Sequence, residues 1–598
     1  MAAQNGLDSS SILILFATET GTSQDVAERI GRLLRRSGFR ARIASLDGYS
    51  PSGLLEEDVV IFVCSTTGNG DEPHEMTSFW KQLLRVDLTP DMFEHLDIAV
   101  FGLGDSSYER FCWATKRLYR RLLSLGAHAI LPRADADEQH YLGIYGTLDP
   151  WLDDLLKRLN ELYDHSAEAS SPSVYIKAHK ARLLPCPSGE EFLDISRSCS
   201  EAPADVRARV IENKRITRSD WYQDVRHVEL EIQNAHNNFQ PGDVITLRPQ
   251  NEPSDVDYLL SRMRWKDHAD AMFEVVQDDE DDFLPTSLPK RSSLRDLLLG
   301  HIDIASVPRR SFFEACREYT SDERELDRLK EFSSSEGQDD LFEYAQRPRR
   351  TILEVLADFK STMIPIEYVL DIFPTIRPRK FSISNSSQVF PGRVQLTVAI
   401  VRYRSLSLKV IRRGLCSTWL SRLQIGDKVS FAFQQGNIVL PNRKESSPVI
   451  LIGPGTGLAP LRAIIQHRID EGQYDNLLYF GCRSASADYL YREELEGYVA
   501  NGHLRLRLAF SRDQVIENLS NKIYVQDIIP VDRELIREWI ILRRAYVYLS
   551  GSSNKMPAAV RLAIRKVLEG EGEWTEAQSR AYMTQMESEG RWFEETWS

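Results

Sequence analysis

Two stretches of this 598-residue chain decide its fold: ILILFATETGT at residues 12–22 and VILIGPGTGLAP at residues 449–460. In each, an apolar run typical of a buried strand leads through a tight polar turn into a helical pattern. Such a turn points backbone N–H groups and the positive end of a helix at an anion. The first turn is rich in hydroxyl groups and the second in glycine, so the sequence predicts two phosphate sites of different chemistry.

Composition narrows the class of protein. With 42% apolar and 27% charged residues, the chain is typical of a globular protein of three or four domains. No apolar run reaches the roughly 18–20 residues of a membrane span, and the N-terminus lacks the pattern of a secretory signal. Seven scattered cysteines favour a reducing compartment, so we expect a cytoplasmic protein without a metal site.

The acidic balance limits the partners. The net charge of −14 argues against nucleic acid, which requires a basic face. Residues 1–161 hold 16 Lys and Arg against 24 Asp and Glu, so this segment alone has a net charge of −8. Two interpretations stay open: the charge keeps the protein in solution, or it forms a docking face for a basic partner or domain.

Residues 1–162 alternate apolar runs with helical patterns, which predicts a doubly wound parallel α/β sheet. The expected strands cover 12–16, 59–64 and 98–101, and the expected helices cover 23–37, 107–125 and 151–162. Residues 163–204 are rich in Ser, Pro and acidic residues. This composition favours a linker, with one short strand over 173–178.

Alternation with a period of two begins near residue 206 and predicts an antiparallel β-barrel over 205–445. The expected strands cover 207–212, 224–232, 244–247, 380–384, 393–401 and 428–433. Between the two sets, residues 253–376 have a helical pattern that is too long for a loop, so we expect a helical insertion. A βαβ pattern returns over 446–598, with strands expected at 449–452, 477–480, 504–510 and 545–549.

Three loops follow the first parallel strands: TETGTS at 18–23, STTGNGD at 65–71 and LGDSSYERFC at 103–112. They lie at the edge where open α/β sheets bind ligands. Singly, each has an ordinary explanation as a helix cap, a connecting turn or a half-buried tyrosine. Together and in this order they resemble a flavodoxin domain, and the third loop resembles that of diflavin enzymes of the cytochrome P450 reductase type. The resemblance implies FMN, with Tyr108 stacked on its ring and residues 18–23 at its phosphate, where hydroxyl and backbone donors act without a cation.

The predicted FMN contacts are Thr18, Glu19, Thr20, Gly21, Thr22, Ser23, Ser65, Thr66, Thr67, Gly68, Leu103, Gly104, Asp105, Ser106, Ser107, Tyr108, Glu109, Arg110, Phe111, Cys112 and, in the family's fourth and acidic loop, Glu138. Position 67 holds Thr where many relatives have an aromatic residue. We therefore expect the stacking on the second flavin face to differ from theirs.

The RKFS stretch at 379–382 resembles the Arg-x-Tyr-Ser motif of ferredoxin–NADP reductase-like proteins, and GLCSTWL at 414–420 resembles their second FAD segment. The resemblance implies a guanidinium at the FAD pyrophosphate and a hydroxyl near the flavin nitrogen that receives hydride. Phe381 replaces the usual Tyr and lacks its hydrogen bond. The predicted FAD contacts are Arg350, Arg379, Lys380, Phe381, Ser382, Thr397, Ala399, Tyr403, Gly414, Leu415, Cys416, Ser417 and Trp597.

The glycine-rich turn after residue 452 resembles the family's NADPH pyrophosphate loop, and GCRS at 481–484 with DYLYREEL at 488–495 closely resembles the diflavin pattern. The cations at 511–526 have an ordinary explanation as surface charges. In this order they favour the 2′-phosphate of NADP, because NAD would call for a carboxylate at the ribose. The predicted NADP contacts are Gly455, Thr456, Gly457, Arg483, Ser511, Arg512, Lys522, Tyr524 and Gln526.

Four residues are implied in hydride transfer: Ser382, Ser550, Glu595 and Trp597. In the family, the C-terminal aromatic residue covers the FAD ring and moves to admit nicotinamide, and an acid near the end of the chain helps to position the hydride. Ser550 stands where relatives carry a Cys. We therefore expect hydride transfer to be slower than in those relatives.

The resemblance covers nearly the whole chain and is strongest to the NADPH-dependent diflavin oxidoreductase family of cytosolic iron–sulfur assembly. That family implies electron flow from NADPH through FAD and FMN to an anamorsin-type iron–sulfur protein. We expect a monomer that forms transient complexes, without a membrane or nucleic-acid partner. Two alternatives stay open: a soluble reductase for a cytochrome P450, cytochrome b5 or sulfite reductase, and a redox-silent binding scaffold.

Overall fold

The computed structural model describes residues 11–67, 70–108, 110–163, 182–185, 206–233, 239–276, 283–285, 288–405, 409–442, 446–513 and 522–597. The chain divides into two units. One comprises Met1–Ser200, Asn251–Arg377 and Ser405–Lys409, and the other comprises Glu201–Gln250, Pro378–Arg404 and Val410–Ser598. Within the described ranges, no helix is both long enough and apolar enough to cross a bilayer.

The strands, in chain order, are β1 (Ile12–Ala17), β2 (Ala41–Ser45), β3 (Val59–Ser65), β4 (Asp97–Gly104), β5 (His128–Ala129), β6 (Ala134–Asp137), β7 (Arg182–Pro185), β8 (Val206–Arg215), β9 (Val225–Ile232), β10 (Val244–Leu247), β11 (Met272–Val276), β12 (Arg291–Ser293), β13 (Arg379–Ser382), β14 (Arg393–Ala399), β15 (Arg402–Arg404), β16 (Ile411–Arg413), β17 (Lys428–Gln434), β18 (Val449–Ile452), β19 (Asn476–Cys482), β20 (Arg505–Phe510), β21 (Tyr546–Ser552) and β22 (Trp592–Trp597).

The α-helices are α1 (Thr22–Arg36), α2 (His74–Leu83), α3 (Trp113–Ser124), α4 (Tyr145–Tyr163), α5 (Pro253–Arg262), α6 (Leu294–Gly300), α7 (Arg310–Cys316), α8 (Glu323–Ser333), α9 (Gln338–Leu341), α10 (Ile352–Asp358), α11 (Val369–Ile372), α12 (Leu415–Arg422), α13 (Leu458–Asp470), α14 (Arg492–Ala500), α15 (Val525–Ile528), α16 (Arg533–Arg537), α17 (Met556–Glu569) and α18 (Glu576–Ser588). Shorter 3₁₀ and π turns cover Pro51–Glu56, Lys266–His268, Arg317–Tyr319, Phe342–Gln346, Ile366–Tyr368, Gly455–Gly457, Ile529–Asp532 and Glu538–Leu542.

The first unit begins with a parallel sheet in the order β2-β1-β3-β4-β5, with β6 beside the end of β4. Even-numbered residues of β1 pack with α1 and α4, and odd-numbered ones pack with α2 and α3. Burial on both faces explains why these strands are continuous apolar runs rather than alternating ones. The doubly wound sheet predicted for residues 1–162 is confirmed.

Most of the remaining described residues of the first unit are helical, and they have their own core. Residues of α5–α8, α10 and α11 bury one contiguous apolar cluster, which contains Phe313 and Phe332. A small antiparallel sheet, β12-β11-β7, flanks these helices. Strand β7 lies within the segment expected to be a linker, while the strand expected over 173–178 falls outside the described residues.

The barrel of the second unit is an antiparallel sheet in the order β13-β10-β17-β8-β9-β14. An isolated bridge between Ile383 and Leu396, just beyond β13 and within β14, brings the two ends of the sheet together and nearly closes it. Alternating side chains of the strands fill the interior, and Trp419 and Leu420 of α12 complete this core. The antiparallel barrel predicted from the period-two alternation is confirmed.

The second unit ends in a parallel sheet in the order β20-β19-β18-β21-β22, where α13–α18 are its helices. The last strand, β22, pairs in parallel with β21 and was not expected from the sequence, because its FEET centre carries little apolar signal. A second difference concerns the helix expected over 107–125, which begins at Trp113. Cys112 adopts a left-handed conformation with φ +50°, and the described residues 106–108 and 110–112 form turns and a bend instead.

Candidate functional site

Three predicted flavin loops meet at one edge of the first sheet. They follow β1, β3 and β4, which are adjacent parallel strands, so their carboxyl ends lie side by side. The edge lies where the chain order reverses across the sheet, the position at which this class of fold binds ligands. The structure therefore brings together the predicted loops at 18–23, 65–67 and 103–112, while Gly68 and Glu109 lie outside the described residues.

The first loop has the geometry of a phosphate cradle. Gly21 has φ +94° immediately before α1, and its N–H donates to Thr18 Oγ1 at 2.8 Å. Thr20 Oγ1 and Thr22 Oγ1 lie 3.3 Å apart and face the same turn. Ser23 Oγ is fully buried at the start of α1, and no described residue forms a hydrogen bond with it. The donor set and this unpartnered hydroxyl fit a phosphate at the positive end of the helix.

The second and third loops are held by backbone hydrogen bonds. Thr67 pairs with Asp71 across a tight turn, and Thr66 N–H donates to Leu103 O at 3.0 Å. Tyr108 is half-buried in the turn that begins at Asp105. These bonds fix the two loops beside each other, and Tyr108 on the third loop is the aromatic side chain that the sequence predicted to stack.

The fourth, acidic loop joins the same edge through β6. Glu138 N–H donates to Gly104 O at 2.9 Å, and Asp137 Oδ1 accepts from Ser106 N–H at 2.9 Å. Cys112 is buried beside this loop, and its burial raises the pKa of the thiol to about 12. Cys112 therefore contributes shape rather than a thiolate. The remaining predicted FMN residues, Ser106, Ser107, Arg110 and Phe111, lie on the described part of the same turn.

On the barrel, the predicted FAD residues lie on β13, β14, β15 and the start of α12. Arg379 and Lys380 are exposed, whereas Phe381 and Ser382 are half-buried. Thr397 Oγ1 forms a hydrogen bond of 2.8 Å with the hydroxyl of Tyr491. Tyr403 is 47% exposed, which leaves its ring open to a planar ligand. Ala399 ends β14.

The second FAD segment begins α12. Gly414 precedes the helix, and a Cβ there would lie 2.9 Å from both Ser417 Oγ and Val401 Cβ, so the backbone can approach closely only with glycine. Ser417 Oγ accepts from Val401 N–H at 3.0 Å. Leu415 is half-buried, and burial raises the pKa of the Cys416 thiol to about 12.

Arg350 is the predicted FAD contact that lies in the first unit. Its Nη1 pairs with Asp358 at 2.6 Å, and its guanidinium lies 4.3 Å from the centre of the Tyr344 ring. These contacts hold the side chain in place among the helices of the insertion. The structure does not place Arg350 in the second unit with the other predicted FAD residues.

The residues predicted for hydride transfer converge in the second unit. Ser382 Oγ donates to Glu595 Oε1 at 2.5 Å, and Glu595 is the register partner of Ser550 in the β21–β22 pair. Trp597 is paired with Ser552 two residues further along and is 38% exposed. Four residues from three distant parts of the sequence thus form one cluster at the end of the nucleotide sheet.

Two buried polar atoms of this cluster lack partners among the described residues. Ser550 Oγ is fully buried without a hydrogen bond, and Glu595 Oε2 is likewise unpartnered. Burial raises the pKa of the Glu595 carboxyl to about 7, against the smaller opposing effect of the Ser382 hydrogen bond. Unsatisfied polar atoms beside a titratable carboxyl fit a polar ring, such as nicotinamide or the flavin, at this position.

The glycine-rich turn after β18 packs directly against the same cluster. A Cβ on Gly457 would lie 2.1 Å from the carbonyl oxygen of Ser550, and Gly455 has φ +58°. Only glycine allows both the close approach and the left-handed conformation. Thr456 lies between them, and α13 begins at Leu458. The backbone of the turn is therefore held against β21 at the start of α13, where its N–H groups and the positive end of the helix suit a pyrophosphate.

The predicted 2′-phosphate residues come together beside β19 and β20. Ser511 N–H donates to Cys482 O at 3.0 Å, and Arg512 N–H donates to Arg483 O at 2.9 Å. Lys522 is exposed, Tyr524 is 46% exposed and Gln526 is half-buried at the start of α15. Arg483 and Arg512 follow the ends of the adjacent strands β19 and β20, and two guanidiniums with the neighbouring hydroxyl of Ser511 suit a dianion.

The sequence gave no indication of Tyr222 or Arg462. The ring of Tyr222, in the turn between β8 and β9, lies 5.2 Å from the guanidiniums of both Arg483 and Arg512. Arg462 is buried and donates to Ser384 O and to Gln395 Oε1, each at 2.8 Å, which ties α13 to the barrel. A lone aromatic residue in a turn and an arginine in a helix carry no local motif, so only the fold identifies them.

Comparisons with known proteins cover the whole chain. Family models match a flavodoxin over 14–147, an FAD binding domain over 201–419 and an oxidoreductase NAD-binding domain over 451–561. The NADPH-dependent diflavin oxidoreductase 1 of Danio rerio is 40% identical over 98% of this chain and 99% of that protein. The proteins of the same name from Bos taurus and Schizosaccharomyces pombe are 38% and 36% identical, each over 99% of this chain and 100% of its counterpart. The chain therefore belongs to the family of NADPH-dependent diflavin oxidoreductases, enzymes that use FMN, FAD and NADPH.

Proposed function

We propose that this enzyme passes electrons to an anamorsin-type iron–sulfur protein in cytosolic iron–sulfur cluster assembly. When bound, the two flavins supply the conversion of a two-electron hydride into single electrons. The observation that carries the proposal is the nearly full-length match to relatives that share one name, together with the three family models that match this chain. The acceptor comes from the family resemblance of the sequence, including Thr67 and the RKFS stretch.

In this proposal each cluster has one role. Arg483, Ser511 and Arg512 hold the 2′-phosphate, and the turn over 453–457 holds the pyrophosphate. Ser382 and Glu595 position the nicotinamide and the flavin against one another by their shared hydrogen bond, while Trp597 covers the FAD ring until nicotinamide arrives. The buried hydroxyl of Ser550 occupies the position beside them.

We assign the FMN domain to residues 1–162, the FAD barrel with its helical insertion to 205–445, and the NADP domain to 446–598. The segment over 163–204 would allow the FMN domain to alternate between receiving electrons and delivering them, by a shift between populations. Chemical cross-linking of the FMN domain to the remainder of the chain should preserve FAD reduction by NADPH and abolish transfer to cytochrome c. Retained transfer would refute the alternation.

Acidic residues around the flavin edge support docking of a protein acceptor. Asp71 and Glu138 are exposed on the second and fourth loops, and Asp105 lies on the third. Together with the net charge of −8 over residues 1–161, they favour steering of a partner with a basic face. In this interpretation the acidic residues of segment 1–161 contribute to partner docking as well as to solubility.

Stopped-flow electron transfer tests the acceptor. The NADPH-reduced holoenzyme is mixed with an anamorsin-type [2Fe–2S] protein, with cytochrome b5 and with cytochrome c. We expect the iron–sulfur protein to react at least about tenfold faster than cytochrome b5 at low salt, and the advantage to shrink as salt screens the acidic rim.

Charge-neutral variants locate the docking face. Asp71→Asn combined with Glu138→Gln should lower the second-order rate with the iron–sulfur protein and leave FAD reduction unchanged. Glu161→Gln is the matched control, because this exposed carboxylate on α4 pairs locally with Arg158. Equal or faster reduction of cytochrome b5 by the wild type would favour the alternative, a cytochrome reductase. Absence of any NADPH-driven reduction would favour the redox-silent scaffold.

A further inference from the structure

Two arginines, Arg309 of the helical insertion and Arg377 directly after it, lie at the phosphate loop of the flavodoxin sheet, within the same unit. Arg309 Nη2 donates to the carbonyl oxygen of Thr20 at 3.2 Å, across 289 residues of sequence. A Cβ on Gly21 would lie 2.7 Å from Arg377 Nε and 3.3 Å from Arg309 Nη2. The two guanidiniums thus face the loop on the side where Gly21, with φ +94°, has no side chain.

The loop itself has no positive side chain, so a cation at its phosphate site must come from another part of the chain. The loop over 18–23 contains no cation, and its one charged residue, Glu19, is acidic. A second carboxylate, Glu75, accepts a hydrogen bond from Thr18 N–H at 2.9 Å. A phosphate monoester carries about −1.5 to −2 charges near pH 7. The N-terminus of α1 offsets only about half of one charge. The flavodoxin part alone therefore leaves a dianion poorly compensated.

Arg377 is held in position by groups at the same loop. Its guanidinium contacts Gln24 Oε1 of α1, and its Nη1 lies 3.7 Å from Glu75 Oε1. Burial raises the pKa of the Glu75 carboxyl, and the nearby Arg377 acts in the opposite direction. The guanidinium is therefore anchored within reach of the loop by side chains of the flavodoxin part itself.

Other polar contacts join the helical insertion to the helices of the flavodoxin sheet. Arg310 Nη1 pairs with Asp149 at 2.6 Å, Arg36 pairs with Glu314 at 3.1 Å and Ser311 Oγ donates to Asp25 at 2.5 Å. Arg29 and Asp149 also line a cavity of about 260 Å³. A polar boundary that encloses such a space is typical of parts that separate and dock again, rather than of a fused core.

We propose that Arg309 and Arg377 are the cations of the FMN phosphate site, supplied by the insertion and the residue directly after it, so that FMN binding and docking of the insertion strengthen one another. Both guanidiniums compensate the dianion that the hydroxyl-rich loop binds through neutral donors. By thermodynamic reciprocity, the phosphate favours the docked arrangement as much as docking favours FMN. The inference rests on the FMN cofactor of the family and not on the acceptor proposed above.

The test compares FMN with riboflavin, which has the same ring and no phosphate. Full-length protein is depleted of FMN with FAD retained, and both ligands are titrated by flavin fluorescence. We expect Arg309→Gln with Arg377→Gln to weaken FMN by about 10- to 100-fold, the range for lost charge-assisted hydrogen bonds. Riboflavin affinity should change by less than about threefold, because its contacts involve no phosphate charge. Arg309→Lys with Arg377→Lys should restore most of the FMN affinity.

Arg295→Gln is the matched control, since this exposed arginine of the insertion pairs locally with Asp257 and Asp270. It should alter neither titration. Equal weakening of FMN and riboflavin in the double glutamine variant would overturn the proposal, as would no weakening of either. FAD content and the rate of FAD reduction by NADPH, measured on the same samples, report whether the variant is folded.

If the double glutamine variant loses FAD, the salt dependence of FMN and riboflavin binding to the wild type tests the proposal instead. Between 50 and 500 mM NaCl, the affinity for FMN should fall at least about tenfold more than the affinity for riboflavin, because salt screens the ion pairs with the phosphate. Equal salt dependence of the two ligands would contradict the proposal. Hydrogen exchange over 309–316 should slow when FMN, but not riboflavin, is added; equal slowing by both would also contradict it.

Discussion

Ser382 Oγ donates a hydrogen bond to Glu595 Oε1 at 2.5 Å, so the flavin signature of the barrel is tied to the last strand of the nucleotide sheet. Glu595 is half-buried, and its second carboxyl oxygen, Oε2, is buried and has no partner among the described residues. Burial raises its pKa to about 7. Because this carboxyl changes charge near neutral pH and lies beside the hydride path, we expect the rate of hydride transfer to depend on pH.

The rate of FAD reduction by NADPH should depend on the charge of Glu595. Hydride departure leaves a positive nicotinamide ring, which a carboxylate stabilises and a neutral carboxyl does not. Because the pKa of Glu595 is raised to about 7, the carboxylate fraction falls as pH falls through that value. Stopped-flow rates of the wild type should therefore rise between pH 6 and pH 8.

In Glu595→Gln this rise should be absent and the rate at pH 8 should fall by about 10- to 100-fold, the range for one lost electrostatic contact. Ser382→Ala is the control for the hydrogen bond. It removes an interaction that lowers the carboxyl pKa, so its pH limb should persist and move to higher pH. An unaltered limb in Glu595→Gln would show that another group titrates.

Ser550→Cys should accelerate FAD reduction. Ser550 Oγ is fully buried, has no described partner and lies on the strand register of Glu595, so a thiol can replace it without breaking a hydrogen bond. The family resemblance implies that a Cys thiol at this position assists hydride transfer, so we expect a several-fold gain. Ser550→Ala serves as the control for simple loss of the hydroxyl. If FAD reduction were as fast in the wild type as in Ser550→Cys, the predicted slower hydride transfer of the wild type would be contradicted.

Tyr222→Ala should weaken NADPH selectively. The ring lies 5.2 Å from the guanidiniums of Arg483 and Arg512 and holds both in one orientation. Loss of two cation–π contacts should raise the KM for NADPH by about tenfold. The KM for NADH, which lacks the 2′-phosphate, should hardly change. Tyr222→Phe keeps the ring and should behave as wild type; a matching rise in both KM values would mean that the turn, rather than the phosphate site, was damaged.

Gly457→Ala should disable the pyrophosphate turn. The added Cβ would lie 2.1 Å from Ser550 O, so the turn or β21 must shift. We expect NADPH affinity and FAD reduction each to fall by at least about tenfold, since a displacement near 1 Å has a cost of this size or more. Gly497→Ala, on α14 with open space around its Cβ position, is the control and should be neutral or slightly stabilising. Normal NADPH kinetics in Gly457→Ala would contradict the assignment of this turn.

Local patterns predicted the architecture well because they report burial directly. Strands such as β1 and β18 are buried on both faces and appear as continuous apolar runs, while the barrel strands alternate. The loops over 18–23 and 453–457 follow those strands at once, so their positions were fixed by the strands. The start of α3 and the whole of β22 could not be predicted, because the left-handed Cys112 and the pairing of the polar centre of β22 are decided by tertiary contacts.

The long-range partners of the site were also beyond local sequence patterns. Arg309 reaches Thr20 from 289 residues away, and Tyr222 reaches Arg512 from a different sheet. Each is an ordinary residue in its own segment and acquires a role only when the fold places it. The Ser382–Glu595 hydrogen bond, across 213 residues, was predicted as two separate contacts rather than as one pair.

The central claim is that electrons flow from NADPH to FAD and only then through FMN to a protein acceptor. Deproteinised holoenzyme should first release FMN and FAD in equal amounts. The decisive measurement is then anaerobic stopped-flow with the holoenzyme, the same protein depleted of FMN, and the depleted protein given FMN again. We predict that NADPH reduces FAD at the same rate in all three samples, while cytochrome c reduction disappears on depletion and returns with FMN. Undiminished cytochrome c reduction by the FMN-depleted enzyme would contradict the account.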